Sequence, residues 1–97
     1  MLLAGFLLDK DLHGAAKVLV RLGGPAIAVT PPVPDRARPA LETAAAFRRR
    51  GIKILALDDS GEGFAAASAL AGPSGTVLVT GSLFLVGRVL EGLRWPN

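Results

Sequence analysis

Val77-Leu78-Val79-Thr80-Gly81-Ser82-Leu83-Phe84-Leu85-Val86-Gly87 is an apolar strand that stops at a small polar elbow and restarts at once as an apolar helix. A helix entered directly from a parallel strand presents free backbone N–H groups and the positive end of its dipole, so this elbow suits an anion. Gly81 removes the side chain that would block a ligand's approach. A second elbow lies near the N-terminus, where Leu2-Leu3-Ala4-Gly5-Phe6-Leu7-Leu8 runs into Asp9-Lys10-Asp11.

Outward from these elbows the chain reads as four strand-then-helix units with little linker between them, the pattern of a parallel sheet covered on both faces. The first strand is expected over Leu2 to Leu8. Its helix starts near Asp11, whose carboxylate can cap it, continues through Leu22 at helical spacing and ends at Gly23-Gly24-Pro25. Ala26 to Thr30 is continuously apolar up to its last residue, as a strand buried on both faces should be. The prolines of Pro31 to Arg38 lack the donors that a helix or central strand needs, which predicts an exposed connecting loop. Pro39 to Arg50 carries agreeing helix signals: Pro39 in the first turn, Glu42 near the positive end, three arginines at the negative end and Gly51 as stop.

Ile52 to Leu57 is the third strand, Asp58-Asp59-Ser60 its loop and Glu62 to Ala71 a short Ala-rich helix closed by Gly72-Pro73. Thr76 to Thr80 is the fourth strand and Leu83 to about Leu93 the last helix, on which Trp95 is expected to fold back. Right-handed crossovers then give an α/β fold, a Rossmann-like three-layer α/β/α sandwich on a mainly parallel four-stranded sheet of order 3-2-1-4. That order sets the first and fourth strands side by side at the centre of the sheet. Their connections leave in opposite directions, which makes a switch point where ligands bind beyond the carboxyl ends of strands.

The 97 residues suffice for one small domain, spanning 1–97. Without cysteine there is neither a disulfide framework nor a thiolate metal site, and one histidine cannot build a zinc site. The net charge of +3 comes mainly from arginines clustered at Arg36/Arg38 and Arg48-Arg49-Arg50. They read as a solvated face rather than a nucleic-acid surface, because the few aromatics lie in apolar runs away from them. The apolar run from Met1 to Leu8 is far shorter than the roughly 20 residues that span a bilayer, so no membrane partner is expected.

Lys10, an ammonium between two carboxylates at a strand end, is the leading candidate for contact with an anionic ligand, and equally fits a surface lysine beside two helix-capping acids. Ser82 can cap the last helix, join its N–H groups on a carboxylate or phosphate, or do both. Thr80 can donate from the strand end or satisfy the loop. Asp58 and Asp59 have the form of a carboxylate pair but sit where acids partner a helix N-terminus. His13 has no Ser, Cys or Asp in a recognisable catalytic arrangement. No Walker-type loop, GxGxxG turn or metal-ligand spacing is present, so the chain offers no catalytic residue and no metal ligand of its own.

At the elbows the chain resembles the C-terminal domain of the folylpolyglutamate synthase/dihydrofolate synthase family, within the Mur-ligase superfamily of ATP-dependent amide ligases. Ala4-Gly5-Phe6-Leu7-Leu8-Asp9-Lys10-Asp11 is similar to that family's strand ending in "DKD", and Val79 to Gly87 is similar to its late "VTGSLFLVG" signature. The resemblance covers essentially the whole chain. It departs where the family domain opens with a "DGAHNP" strand and helix, a unit this chain lacks.

The resemblance implies a domain that closes over an N-terminal P-loop domain and binds glutamate in the cleft between them. Lys10 and Ser82 would engage the glutamate carboxylates together with Thr80 and Gly81, while Asp9 and Asp11 orient Lys10 or line the cleft. The implied reaction is phosphorylation of a folate or dihydropteroate carboxylate by ATP, then attack of the glutamate amine to give an amide. ATP and Mg²⁺ belong to the complete enzyme; the isolated chain is expected to be inactive and the enzyme cytoplasmic. The alternative is a stand-alone Rossmann-like anion-binding or protein-interaction module. Because the missing unit would cover the fourth strand, self-association through that strand's edge is also expected.

Overall fold

Four short strands, β1 (Leu2–Gly5), β2 (Ala26–Val29), β3 (Ile54–Leu57) and β4 (Leu78–Gly81), form one all-parallel sheet in the order β3-β2-β1-β4. The computed structural model describes residues 1–93; Trp95, expected against the last helix, lies outside them. The connections are helical: α1 (Leu12–Leu19, extended by a 3-10 turn over Val20–Leu22), α2 (Ala40–Arg48), α3 (Ser60–Ala71) and α4 (Leu83–Leu93). The sheet is therefore the expected Rossmann-like α/β arrangement. No described helix is long and apolar enough to cross a membrane.

Side-chain alternation sorts the core into two layers. Leu2, Ala4, Ala26, Ala28 and Ile54 face α1 and α2, where Phe47 is the largest wholly buried side chain and its ring stacks on Phe6. Leu3, Ile27 and Val29 face α3 and α4 and pack on Ala67, Leu85 and Val89. Burial of this kind contributes about 25 cal/mol per Å² of apolar surface. With so many alanines on the α1–α2 side, Phe6 and Phe47 supply much of that layer's volume.

Several boundaries differ from the sequence reading, each for a local reason. β1 stops at Gly5, not Leu8, because Phe6 to Leu8 turn away to meet the proline-rich segment: Arg38 N–H donates to the Phe6 carbonyl at 2.9 Å and Leu8 N–H to the Arg36 carbonyl at 2.8 Å. That segment is accordingly not a simple exposed loop. Pro31 is buried, and Leu7 bridges antiparallel to Ala37. Pairing in β4 begins at Leu78 and includes Gly81, so the glycine ends the strand and does not belong to a separate elbow. α3 starts at Ser60, earlier than Glu62, since Asp59 caps it by accepting from Glu62 N–H at 2.8 Å.

β1 is central, whereas β4 is an edge strand, not a central one, with Leu78 47% exposed. The two edges are unlike. On β3 the Arg48 guanidinium donates to the Ile54 carbonyl at 2.8 Å, blocking the edge with charge as native sheets often do. β4 itself carries no charged residue.

Candidate functional site

The β1–β4 register sets Ala4 beside Thr80 and Gly5 beside Gly81, so the two chain exits leave the carboxyl edge of the sheet together. Between them and α1 lies a cleft of about 380 Å³ whose polar wall is Lys10, Asp11, Thr80 and Gly81 and whose apolar wall includes Phe6 and Val18. Lys10 and Thr80–Gly81, about seventy residues apart in the chain, thus share one cavity. It lies at the β1–β4 switch point, where open α/β sheets place ligands.

Lys10 is exposed in the turn after Leu7, whose carbonyl accepts its N–H at 3.2 Å. Its ammonium makes no ion pair among the described residues. The flanking acids therefore do not clamp it: Asp11 is the N-cap of α1 and accepts from Gly14 N–H at 3.0 Å, while Asp9 is exposed and outside the cleft lining. Such an N-cap stabilises by about 1 kcal/mol and holds the end of α1 against the cleft.

Ser82 stands apart from the other candidates. It is only 2% exposed and does not line the cleft; its N–H donates to the Gly5 carbonyl at 2.8 Å and its Oγ accepts from Phe84 N–H at 3.1 Å. Its hydroxyl thus caps α4, while its backbone N–H fixes the start of the helix onto the end of β1. Gly81 has φ near +110°, and a Cβ there would collide with the Gly5 carbonyl oxygen. Close approach of β1 and β4 requires this glycine, whatever occupies the cleft.

Arg38 is a site-positioning residue that the sequence does not reveal. Read as part of a solvated basic cluster, it instead inserts its guanidinium beneath the β1 exit, donating to the Leu8 carbonyl at 2.8 Å, the Lys10 carbonyl at 3.2 Å and Glu42 Oε1 at 3.3 Å. The signal available in sequence was an arginine immediately before a helix with an acid four residues on, which is too common to single out.

The remaining candidates fall elsewhere. His13 is exposed on α1 and outside the cleft lining. Asp58 accepts from the Thr30 hydroxyl at 3.1 Å, and Thr30 Oγ1 in turn accepts from Ala40 N–H at 2.9 Å, tying β3 to the start of α2. Asp59 caps α3, so both acids serve junctions between elements.

The cleft offers an ammonium, a hydroxyl and an apolar floor, a set that can bind and orient a small carboxylate. No phosphate-cradling glycine loop is present in the sequence, and no group of three His, Cys, Asp or Glu among the described residues could hold a metal ion. Comparison with protein families, curated proteins and solved structures gives no match for this chain.

Proposed function

We propose that this chain is the glutamate-side domain of an ATP-dependent ligase that adds L-glutamate to folate or dihydropteroate, in the manner of the folylpolyglutamate synthase/dihydrofolate synthase family. The observation that carries the reading is the convergence of Lys10 with Thr80 and Gly81 in one cleft at the β1–β4 switch point. In this reading the Lys10 ammonium neutralises a glutamate carboxylate, the Thr80 hydroxyl donates to it, and Asp11 keeps α1 in register beside them. Ser82 contributes by anchoring α4 to β1 rather than by a free hydroxyl.

The cleft opens to solvent, so a tightly held glutamate needs a second wall that excludes water. A P-loop domain would supply that wall and would hold ATP and Mg²⁺, which activate the acceptor carboxylate; the folate pocket also lies there. Such an enzyme works in the cytoplasm. The open β4 edge favours a second reading, a stand-alone anion-binding or protein-interaction module without catalysis, self-association through that edge included.

An assay of ATP-dependent glutamate incorporation separates the two. The chain alone should give no turnover and no ATP hydrolysis, and joining it to a P-loop ligase domain of this family should restore glutamate addition. Failure of the joined protein to ligate, with both parts folded, would leave the module reading.

A further inference from the structure

A second polar cavity lies along the same carboxyl edge but away from Lys10. Two spaces meet there: a cleft of about 830 Å³ walled by Pro31, Pro34 and Pro39 with Asp58 at its polar side, and a recess of about 230 Å³ bounded by Gly61, Phe64 and Val89. Ser60 and Arg88 line both. The larger space alone is in the range of small-molecule sites, which pair an apolar wall with a few fixed polar groups.

Ser60 is the observation that asks for a ligand. It is 5% exposed, faces both spaces, and its hydroxyl makes no hydrogen bond among the described residues. The hydroxyl oxygen opens to these spaces and is not sealed from them, which leaves it free to bond a group that enters. Beside it the first turn of α3 is half satisfied. Glu62 N–H reaches Asp59 Oδ2 and Gly63 N–H the Asp59 carbonyl, leaving the Ser60 and Gly61 N–H groups without protein acceptors among the described residues. The Arg88 guanidinium adds a positive charge at the same place, held among the described residues by a long, exposed contact to Glu91 at 3.8 Å.

The signs at the two ends differ. The recess collects donors: the Ser60 hydroxyl, the α3 N-terminus and Arg88. The cleft offers an acceptor, because Asp58 uses Oδ1 for the Thr30 hydroxyl and its Oδ2 accepts no hydrogen bond among the described residues. A dianionic phosphate would face two carboxylates in this loop, Asp58 and Asp59. A zwitterion with an apolar body matches both ends and the proline wall between them.

We infer that Ser60, Arg88 and Asp58 form a second small-molecule site, for a zwitterion bearing a carboxylate, an ammonium and an apolar body, as in an aromatic or aliphatic amino acid. The carboxylate sits in the recess on Arg88 and Ser60, the ammonium on Asp58, and the apolar group against the prolines. This site is independent of the glutamate cleft at Lys10.

The test is a titration of the full chain, followed by amide chemical shifts, with L-phenylalanine, 3-phenylpropionate, phenethylamine and inorganic phosphate as probes. L-Phenylalanine should shift the Ser60, Gly61 and Gly92 amides saturably. Arg88→Gln and Ser60→Ala should each weaken it roughly tenfold. Asp58→Asn should weaken L-phenylalanine but not 3-phenylpropionate, and the Lys10 and Thr80 amides should not follow the titration, which distinguishes this site from the glutamate reading. The proposal is overturned by absence of saturable shifts at these amides, by binding that survives both Arg88→Gln and Ser60→Ala, by an Asp58→Asn effect equal for both probes, or by phosphate binding as tightly as L-phenylalanine.

Discussion

Gly81→Ala should destabilise the fold by about 3 kcal/mol or more, measured as a shift in the urea midpoint at unchanged slope. Two costs combine there. A φ near +110° is a region that side chains rarely adopt, and the new Cβ would collide with the Gly5 carbonyl oxygen, which already accepts from Ser82 N–H at 2.8 Å. Relief requires β1 and β4 to separate at their carboxyl ends, where Lys10 and Thr80 meet. Gly87 lies in the same motif but inside α4, where a Cβ would touch nothing within 4 Å. Gly87→Ala should therefore raise stability by about 1 kcal/mol through helix propensity alone. Equal effects of the two substitutions would show that the motif's glycines do not differ in the way the backbone geometry requires.

Arg38→Ala should cost about 2–3 kcal/mol, because it removes a guanidinium that is only 17% exposed and strips the Leu8 and Lys10 carbonyls of a charged donor. The ion pair to Glu42, itself half exposed, adds little of this. Arg38→Lys should recover less than half of the loss, since one ammonium cannot reach two carbonyls and a carboxylate with the fixed fork of an arginine. Equilibrium unfolding of the three proteins checks this. A cost near zero for Arg38→Ala would mean that the β1 exit holds its shape without the clamp.

The topology was legible because each signal was local and redundant. Continuous apolar runs at Ala26–Val29 and Leu78–Val79, the cap at Asp11, and stops at Gly23 and Gly72 all agreed, and the handedness of crossovers then left one strand order. Where the chain misled, tertiary pairing competed with local pattern. Phe6, Leu7 and Leu8 continue the apolar run of β1, yet they are claimed by the proline-rich segment thirty residues on.

The candidate site was legible in part, and the division is physical. Lys10 and Thr80 are brought together by strand pairing, which sequence can anticipate once the order is known. Ser82 and Gly81 serve the backbone junction first, and a serine at a helix start looks the same in sequence whether its hydroxyl is free or consumed by the cap. Arg38, Ser60 and Arg88 draw their environments from segments far away in the chain, so nothing in their immediate neighbours marks them.

The most direct measurement is steady-state kinetics of Lys10→Ala in the complete ligase, meaning this chain joined to its P-loop domain, with glutamate and ATP varied in turn. Lys10 is exposed and makes no ion pair among the described residues, so its removal leaves the fold intact and reports on ligand contact alone. Losing one charge-assisted contact to a carboxylate should lower kcat/KM for glutamate roughly ten- to hundredfold while KM for ATP stays unchanged. An unchanged glutamate dependence, or an equal loss for both substrates, would contradict the assignment of this cleft to glutamate.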